Sequence, residues 1–313
     1  MKLVYIISMG HSGSTLLDSI LGTHPDFLST GELQYLGWQL FRTANKKPST
    51  KDEDICTCGY DFRECIFWSR VIKQIFEKTG IDIAVHPEDF KNYFFGQFKY
   101  NEKIKLFDRI QGFLTRKILE AGFSFRYINL IEPRINQIIN KNWLLFETMS
   151  KVSNKNFVVN SSKNFTHGLL FQQSRPSEVW FIFIHRSAEG LASSSKRWKH
   201  KTTIKDIIIS KNNYEREVNK CKKNISDLNY IDVEYEEFAR KPATSLDKMI
   251  HKLGALENYT RQSDDHFTID PSQLHLVAGN PMRYRGKQLV RYDERWKTEL
   301  STKEKEMIQR LMQ

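Results

Sequence analysis

Residues 3–22 read LVYIISMGHSGSTLLDSILG, and this stretch decides the fold. Leu3 to Ile7 is an unbroken apolar run with β-branched side chains, the pattern of a buried strand. Gly10 to Ser14 is small and polar, and Leu16, Leu17, Ile20 and Leu21 then recur at helical spacing until Gly22 can end the helix. The reading is strand, glycine loop, helix. Backbone N–H groups at a helix N-terminus, with the helix dipole behind them and glycines permitting close approach, make a phosphate site to which hydroxyls add donors. A Walker-type loop needs GxxxxGK[ST], and its Lys is absent here. A magnesium-dependent ATPase or GTPase is therefore not expected, and phosphate binding of another kind remains.

The same logic repeats downstream. Phe157 to Asn160 runs into Ser161, Ser162 and Lys163, followed by a helical pattern at Leu169 and Leu170. Val179 to Ile184 ends on His185 and Arg186 and opens into the segment Ala188 to Lys196. A fourth strand, Tyr230 to Tyr235, precedes Glu236, Glu237, Phe238 and Pro242, and a helix from about Ser245 to Leu253 closes at Gly254. These units predict an α/β chain, a central parallel sheet flanked by helices, with ligand groups at the carboxyl ends of the strands. Residues 66–153 carry apolar side chains at helical spacing, as in Ile128, Leu130, Ile131, Ile135, Ile138 and Ile139, and read as a helical insertion or cap over the sheet. No internal repeat or composition break divides the chain, so one domain over residues 1–313 is expected.

Composition narrows the class. With 313 residues, 40% of them hydrophobic, the chain can fill a large core. A net charge of +11 favours a polyanionic partner: nucleic acid, an anionic membrane or a phosphorylated small molecule. The stretch Lys196, Arg197, Trp198, Lys199, His200, Lys201 supports a nucleic-acid-binding alternative, but that alternative leaves the ordered loops unexplained. The apolar start is too short for a signal peptide and no run of about 18 apolar residues is present, so a soluble cytoplasmic protein without a membrane span is expected. Cys56, Cys58 and Cys65 cluster while Cys221 stands alone. The cluster reads as a partial zinc site, a disulfide with a free thiol, or reduced residues in a tight turn; no nearby pair completes a four-ligand zinc set, so no metal is expected.

Taken in order, these motifs resemble the sulfotransferases that use 3′-phosphoadenosine 5′-phosphosulfate. The family's phosphosulfate loop has a basic residue before S-G-[ST]-T, as in His11, Ser12, Gly13, Ser14 and Thr15. Its second signature is an Arg followed eight residues on by a Ser, together holding the 3′-phosphate, and Arg186 and Ser194 fit it. An Arg fork and a hydroxyl that far apart reach one phosphate only if the intervening loop folds back. Further segments agree: Ser161-Ser162-Lys163, Tyr235-Glu236 with Pro242, Gly279-Asn280-Pro281-Met282-Arg283, and Trp296. The cysteine cluster with Gly59, Phe67 and Trp68 is similar to a segment of bacterial members. The resemblance implies a P-loop-NTPase-like sulfotransferase fold, Tyr235 near the nucleotide, and Arg285, Gly286 and Lys287 as a basic loop over the 3′-phosphate. It also implies the donor named above as co-substrate, adenosine 3′,5′-bisphosphate as product, and no required metal.

Sulfuryl transfer by in-line displacement needs a cation or proton donor at the leaving oxygen and a base at the acceptor. Lys163 and His11 are the candidates for the leaving side, since both follow strands that should converge on the phosphosulfate. Where His11 stands the family usually has Lys or Arg; a neighbouring anion should raise the histidine's pKa and restore the charge. Glu32, in Ser29-Thr30-Gly31-Glu32, resembles the Gly-Glu that supplies the base in protein-tyrosine members; a helix-capping or solvated Glu is the alternative. His24 is the second candidate base and reads better as a structural residue at the helix exit, with His167, His185 and His275 in reserve. The acceptor is a hydroxyl of open class, lipid, polyketide-like, glycan or peptide; the aromatic run Tyr93, Phe94, Phe95, Phe98 and Tyr100 suits an apolar or extended one, or plain core. A P-loop-like kinase is the remaining enzymatic alternative, disfavoured by the missing Lys and by the lack of an obvious Mg²⁺-holding Asp after a strand.

Overall fold

A computed structural model describes residues 1–45, 55–87, 90, 94, 114–115, 117–119, 127–131, 133–197, 202–225, 229–257 and 259–312. Its centre is a five-stranded sheet in the order β2-β3-β1-β4-β5, parallel throughout, built from Phe27–Ser29 (β2), Phe157–Asn160 (β3), Lys2–Ser8 (β1), Val179–His185 (β4) and Tyr230–Glu234 (β5). β1 is the middle strand. Leu3, Tyr5 and Ile7 point into one apolar cluster and Val4 and Ile6 into another, which is why the run shows no polar alternation.

Helices cover both faces. The Leu3 face packs against α3 (Ile66–Thr79) through Trp68, Val71 and Ile75, and against α4 (Ile135–Ser153) through Trp143, Phe146 and Met149. It also meets α5 (Phe165–Ser174) and α7 (Ile204–Lys222), the latter after α6 (Ala188–Arg197). The Val4 face packs against α1 (Ser14–Leu21), α8 (Tyr235–Arg240) and α9 (Pro242–Leu253). Between α1 and α3 lies α2 (Leu36–Asn45), and near the C-terminus a two-stranded pair joins Thr268–Ile269 to Gln288–Leu289.

Three local readings change. Tyr235 opens α8 instead of ending β5. α9 begins at Pro242, since proline's fixed φ and missing N–H suit the first helical turn. The short strand β2 and the C-terminal pair carry too few residues to show a period. Phe94 is buried and stacked on Phe90 at 4.9 Å, so it is core, while Tyr93, Phe95, Phe98 and Tyr100 lie outside the described residues. Trp198, Lys199, His200 and Lys201 lie outside them too. Among the described residues no helix is long and apolar enough to cross a membrane.

Candidate active site

Four strands, β1, β2, β3 and β4, deliver a polar loop to the same, carboxyl edge of the sheet, and β5 runs there directly into α8. The loop after β1 enters α1 through Gly13, which has φ 90° and no side chain to cap the helix, so the first-turn N–H groups face outward. A Cβ on Gly13 would lie 2.6 Å from the ring of Tyr235. Glycine is required there by conformation and by space. Gly13→Ala is expected to destabilise the fold by about 1–3 kcal/mol, measured as a shift in the denaturant midpoint.

Tyr235 therefore lies against the loop. Arg186, at the end of β4, is buried; its guanidinium lies 4.0 Å from the centre of the Tyr235 ring and its Nη1 donates to the carbonyl of His11 at 2.5 Å. This bond accompanies the left-handed φ of 66° at His11, a conformation rare outside glycine. Arg186 Nη2 lies 3.6 Å from Asp293 Oδ2, and Nε has no hydrogen-bond partner among the described residues. Asp293, missed in the sequence, also binds Arg197 at 2.7 Å. Burial opposes its ionisation, but Arg295 and Arg197 outweigh that and hold the carboxyl at about 2.

The expected folding-back loop between Arg186 and Ser194 does not exist, because α6 begins at Ala188. The two are related through Gly190 instead. A Cβ there would sit 2.7 Å from Arg186 Nε, so the arginine lies on the Gly190 face of α6, and Ser194, buried one turn further on, shares that face. Lys196 and Arg197, the first residues of the basic stretch, are taken up by Glu304 and by Asp293 and Glu299. Arg285 and Lys287 are exposed on the turn at Gly286, while Arg283 beside them is buried and donates to the carbonyl of Leu276 at 3.2 Å. The segment ahead of that turn reaches the loop directly: the N–H of Asn280 donates to Thr15 Oγ1 at 3.0 Å.

Glu32 and Lys163 meet. Lys163 Nζ donates to Glu32 Oε1 at 2.7 Å, with the two side chains 22% and 13% exposed. Glu32 precedes the helical turn Leu33–Tyr35 but makes no side-chain cap, so the capping alternative does not hold. Lys163 has φ 64°, like His11 a non-glycine residue in the left-handed region, and such residues concentrate where function fixes the backbone.

Behind this pair stands Asp18, fully buried in α1 and unremarked in the sequence. Its Oδ2 accepts from the N–H of Gly31 at 3.0 Å and from Ser161 Oγ at 2.7 Å, and its Oδ1 accepts from Ser29 Oγ. One carboxyl thus fixes the residue before Glu32 and a residue two before Lys163. Burial raises its pKa from 3.8 to about 6, against the hydrogen bonds from Ser29, Ser161 and Gly31 that favour the anion.

The histidines sort themselves. His24 is fully buried, with Nε2 2.9 Å from the carbonyl of Leu256 and Nδ1 accepting from the N–H of Asp26 at 3.1 Å; both nitrogens are used, burial lowers its pKa, and it is structural. At His185 burial favours the neutral form, but hydrogen bonds with Asp232 and Glu215 prevail and lift its pKa to about 9, so it is a cation in an ion-pair network. Burial pushes His167 down to about 4. His275 lies beside Cys56, Cys58 and Cys65, supplying from the far end of the chain the fourth group that local spacing lacked. A cavity of about 330 Å³ opens beside β2, lined by Phe27, Ser29, Phe67, Lys155 and His275 among others.

A family profile described as Sulfotransferase family matches residues 4–257. The chain belongs to the sulfotransferase family, a family of transferases. Among curated proteins no match is found. The sulfotransferase domain of the Synechococcus PCC 7002 olefin synthase is 13% identical, with a TM-score of 0.47 over 99% of this chain and 94% of that one. The sulfotransferase domain of the curacin biosynthetic pathway is 13% identical, with a TM-score of 0.49 over 99% and 97%. A sulfotransferase from Alicyclobacillus acidocaldarius is 10% identical, with a TM-score of 0.39 over 83% of each chain.

Proposed function

We propose that the chain moves a sulfuryl group from 3′-phosphoadenosine 5′-phosphosulfate to an acceptor hydroxyl by in-line displacement. The observation that carries this reading is the contact of a carboxylate and an ammonium, Glu32 and Lys163 at 2.7 Å, beside a glycine loop at a helix N-terminus. The acceptor oxygen bonds to sulfur, its proton passes to Glu32, and the bond from sulfur to the bridging oxygen breaks with its electrons staying on the departing bisphosphate. Lys163 neutralises that oxygen, with His11 on the same side. In the free protein Glu32 and Lys163 neutralise each other. An anionic donor competes for Lys163 and releases Glu32 to act as base.

Ser12, Gly13, Ser14 and Thr15 cradle the 5′-phosphosulfate, and Arg186 with Ser194 holds the 3′-phosphate, backed by Tyr235 and by the turn Arg285, Gly286 and Lys287. The partnerless Nε of Arg186 supports this assignment, because a buried guanidinium N–H without an acceptor is costly until an anion fills it. The segment 66–153 is assigned to the acceptor side, and neither metal nor covalent intermediate enters the transfer.

Calorimetry tests the donor site. Without metal, adenosine 3′,5′-bisphosphate is expected to bind with micromolar affinity while ATP and adenosine 5′-monophosphate bind weakly. Arg186→Ala should weaken that binding about 30-fold or more, since truncating one side of a buried charge pair costs about 2–5 kcal/mol. Equal affinity for all three nucleotides, or ATP binding that needs Mg²⁺, would replace this reading with that of a kinase.

A further inference from the structure

We propose that Cys56, Cys58, Cys65 and His275 form a structural zinc site. Their ligand atoms all lie within 4.8 Å of one another. The contacts are 3.5 Å between the sulfurs of Cys58 and Cys65, 3.6 Å between those of Cys65 and Cys56, and 3.3 and 3.6 Å from His275 Nδ1 to the sulfurs of Cys65 and Cys56. A tetrahedron with Zn–S bonds of about 2.3 Å and a Zn–N bond of about 2.0 Å has edges of about 3.5–3.8 Å. Four of the six edges are close to that size, and the sulfurs stand far too wide for a disulfide, whose sulfurs lie about 2.05 Å apart.

The surroundings suit thiolates bound to a cation. Main-chain N–H groups of Cys58, Tyr60 and Trp68 hydrogen-bond the sulfurs of Cys56, Cys58 and Cys65 respectively. Cys65 is the N-cap residue of α3, where the helix dipole favours negative charge. Gly59, with φ 90°, turns the chain between the first pair and the third cysteine. Phe67 stacks on the His275 ring at 5.0 Å and 14°, and Trp68 Nε1 donates to the His275 carbonyl at 2.9 Å, which fixes the imidazole toward the sulfurs. Four protein ligands of three sulfurs and one nitrogen leave no open position, the arrangement of a structural zinc and not of a catalytic one.

The tie has a defined mechanical role. It joins the segment before α3 to the strap around residues 274–284, whose chain is also stitched there by Thr57 Oγ1 to the Leu274 carbonyl at 2.7 Å and by Tyr284 to the Ile55 carbonyl at 2.9 Å. Two residues past His275, the N–H of Val277 donates to the Thr30 carbonyl at 2.9 Å, and Asn280 binds Thr15. Zinc there pins the strap against both the Glu32 turn and the glycine loop, so its loss frees the strap without removing any group that touches substrate.

The test is metal content by plasma mass spectrometry on the full chain, purified with reductant and dialysed against zinc without chelator. One zinc per chain is expected, with His275→Ala and Cys65→Ser each losing at least about nine-tenths of it and Cys221→Ala keeping it. Cobalt exchanged into the wild-type protein should show thiolate-to-metal charge transfer and the intense visible bands of a tetrahedral ion, a readout independent of how the variants fold. Wild-type protein that holds no stoichiometric zinc overturns the proposal, as does zinc retained by a Cys56→Ser, Cys58→Ser, Cys65→Ser triple variant.

Discussion

Glu32→Gln is expected to lower turnover by about 10²- to 10⁴-fold, the usual worth of a positioned general base, while adenosine 3′,5′-bisphosphate affinity changes little. Glutamine keeps the shape of the side chain and its Oε1, so Lys163 can still donate across the 2.7 Å contact, and only the proton acceptor is removed. The readouts are steady-state turnover under saturating donor and bisphosphate binding by calorimetry. A purely positioning role for Glu32 predicts a different result: glutamine holds Lys163 nearly as well, so turnover would stay near wild type. In that case the base lies elsewhere, but not at His24, whose two ring nitrogens are already committed to Leu256 and Asp26. Lys163→Met is the complementary variant. It strips the leaving side of its cation and is expected to depress turnover and donor affinity together.

β1, β3 and β4 were legible because each is a short apolar run followed at once by a polar loop. Phe157–Asn160 is the same in sequence and structure, and Leu3–Ile7 grows by one residue at each end. The candidate positions that follow strands were legible for the same reason: a parallel sheet brings the segments after its strands to one edge, so Lys163, Arg186 and the glycine loop could be placed there without contacts. What escaped reading depends on distance along the chain. Asp18 looks like a polar interruption on an apolar helix, and its importance comes from Ser29, Gly31 and Ser161, the last of which is 143 residues away. His275 likewise carries no local signal, being 210 residues from Cys65. The loop expected between Arg186 and Ser194 is absent, because a helix begins at Ala188 and a glycine in its first turn lets the arginine lie along α6.

Asp18→Ala is expected to destabilise the protein by about 2–4 kcal/mol, because it leaves the Gly31 N–H and the Ser161 hydroxyl without their acceptor in a dry site. Asp18→Asn should behave in the opposite sense at neutral pH. Its amide oxygen can still accept from Gly31 and Ser161, and its NH₂ can donate to Ser29 Oγ, whose own proton already has the Asp18 main-chain carbonyl at 2.9 Å. The three contacts survive and the buried charge is gone. In the wild type the folded carboxyl has its pKa at about 6 against the usual 3.8, raised first by burial. The folded state therefore binds this proton more tightly than the unfolded chain, and the group's contribution to stability is fullest below 3.8 and declines as pH rises through about 6. The whole decline amounts to about 3 kcal/mol. Asparagine has no such proton, so denaturant melts of the two proteins should diverge in favour of Asp18→Asn by about 2 kcal/mol between about pH 4.5 and about pH 7.5. Parallel pH curves for the two would mean that Asp18 is ionised in the fold with an ordinary pKa. The carboxylate would then be a fully compensated anion, and its removal by asparagine should cost stability at every pH.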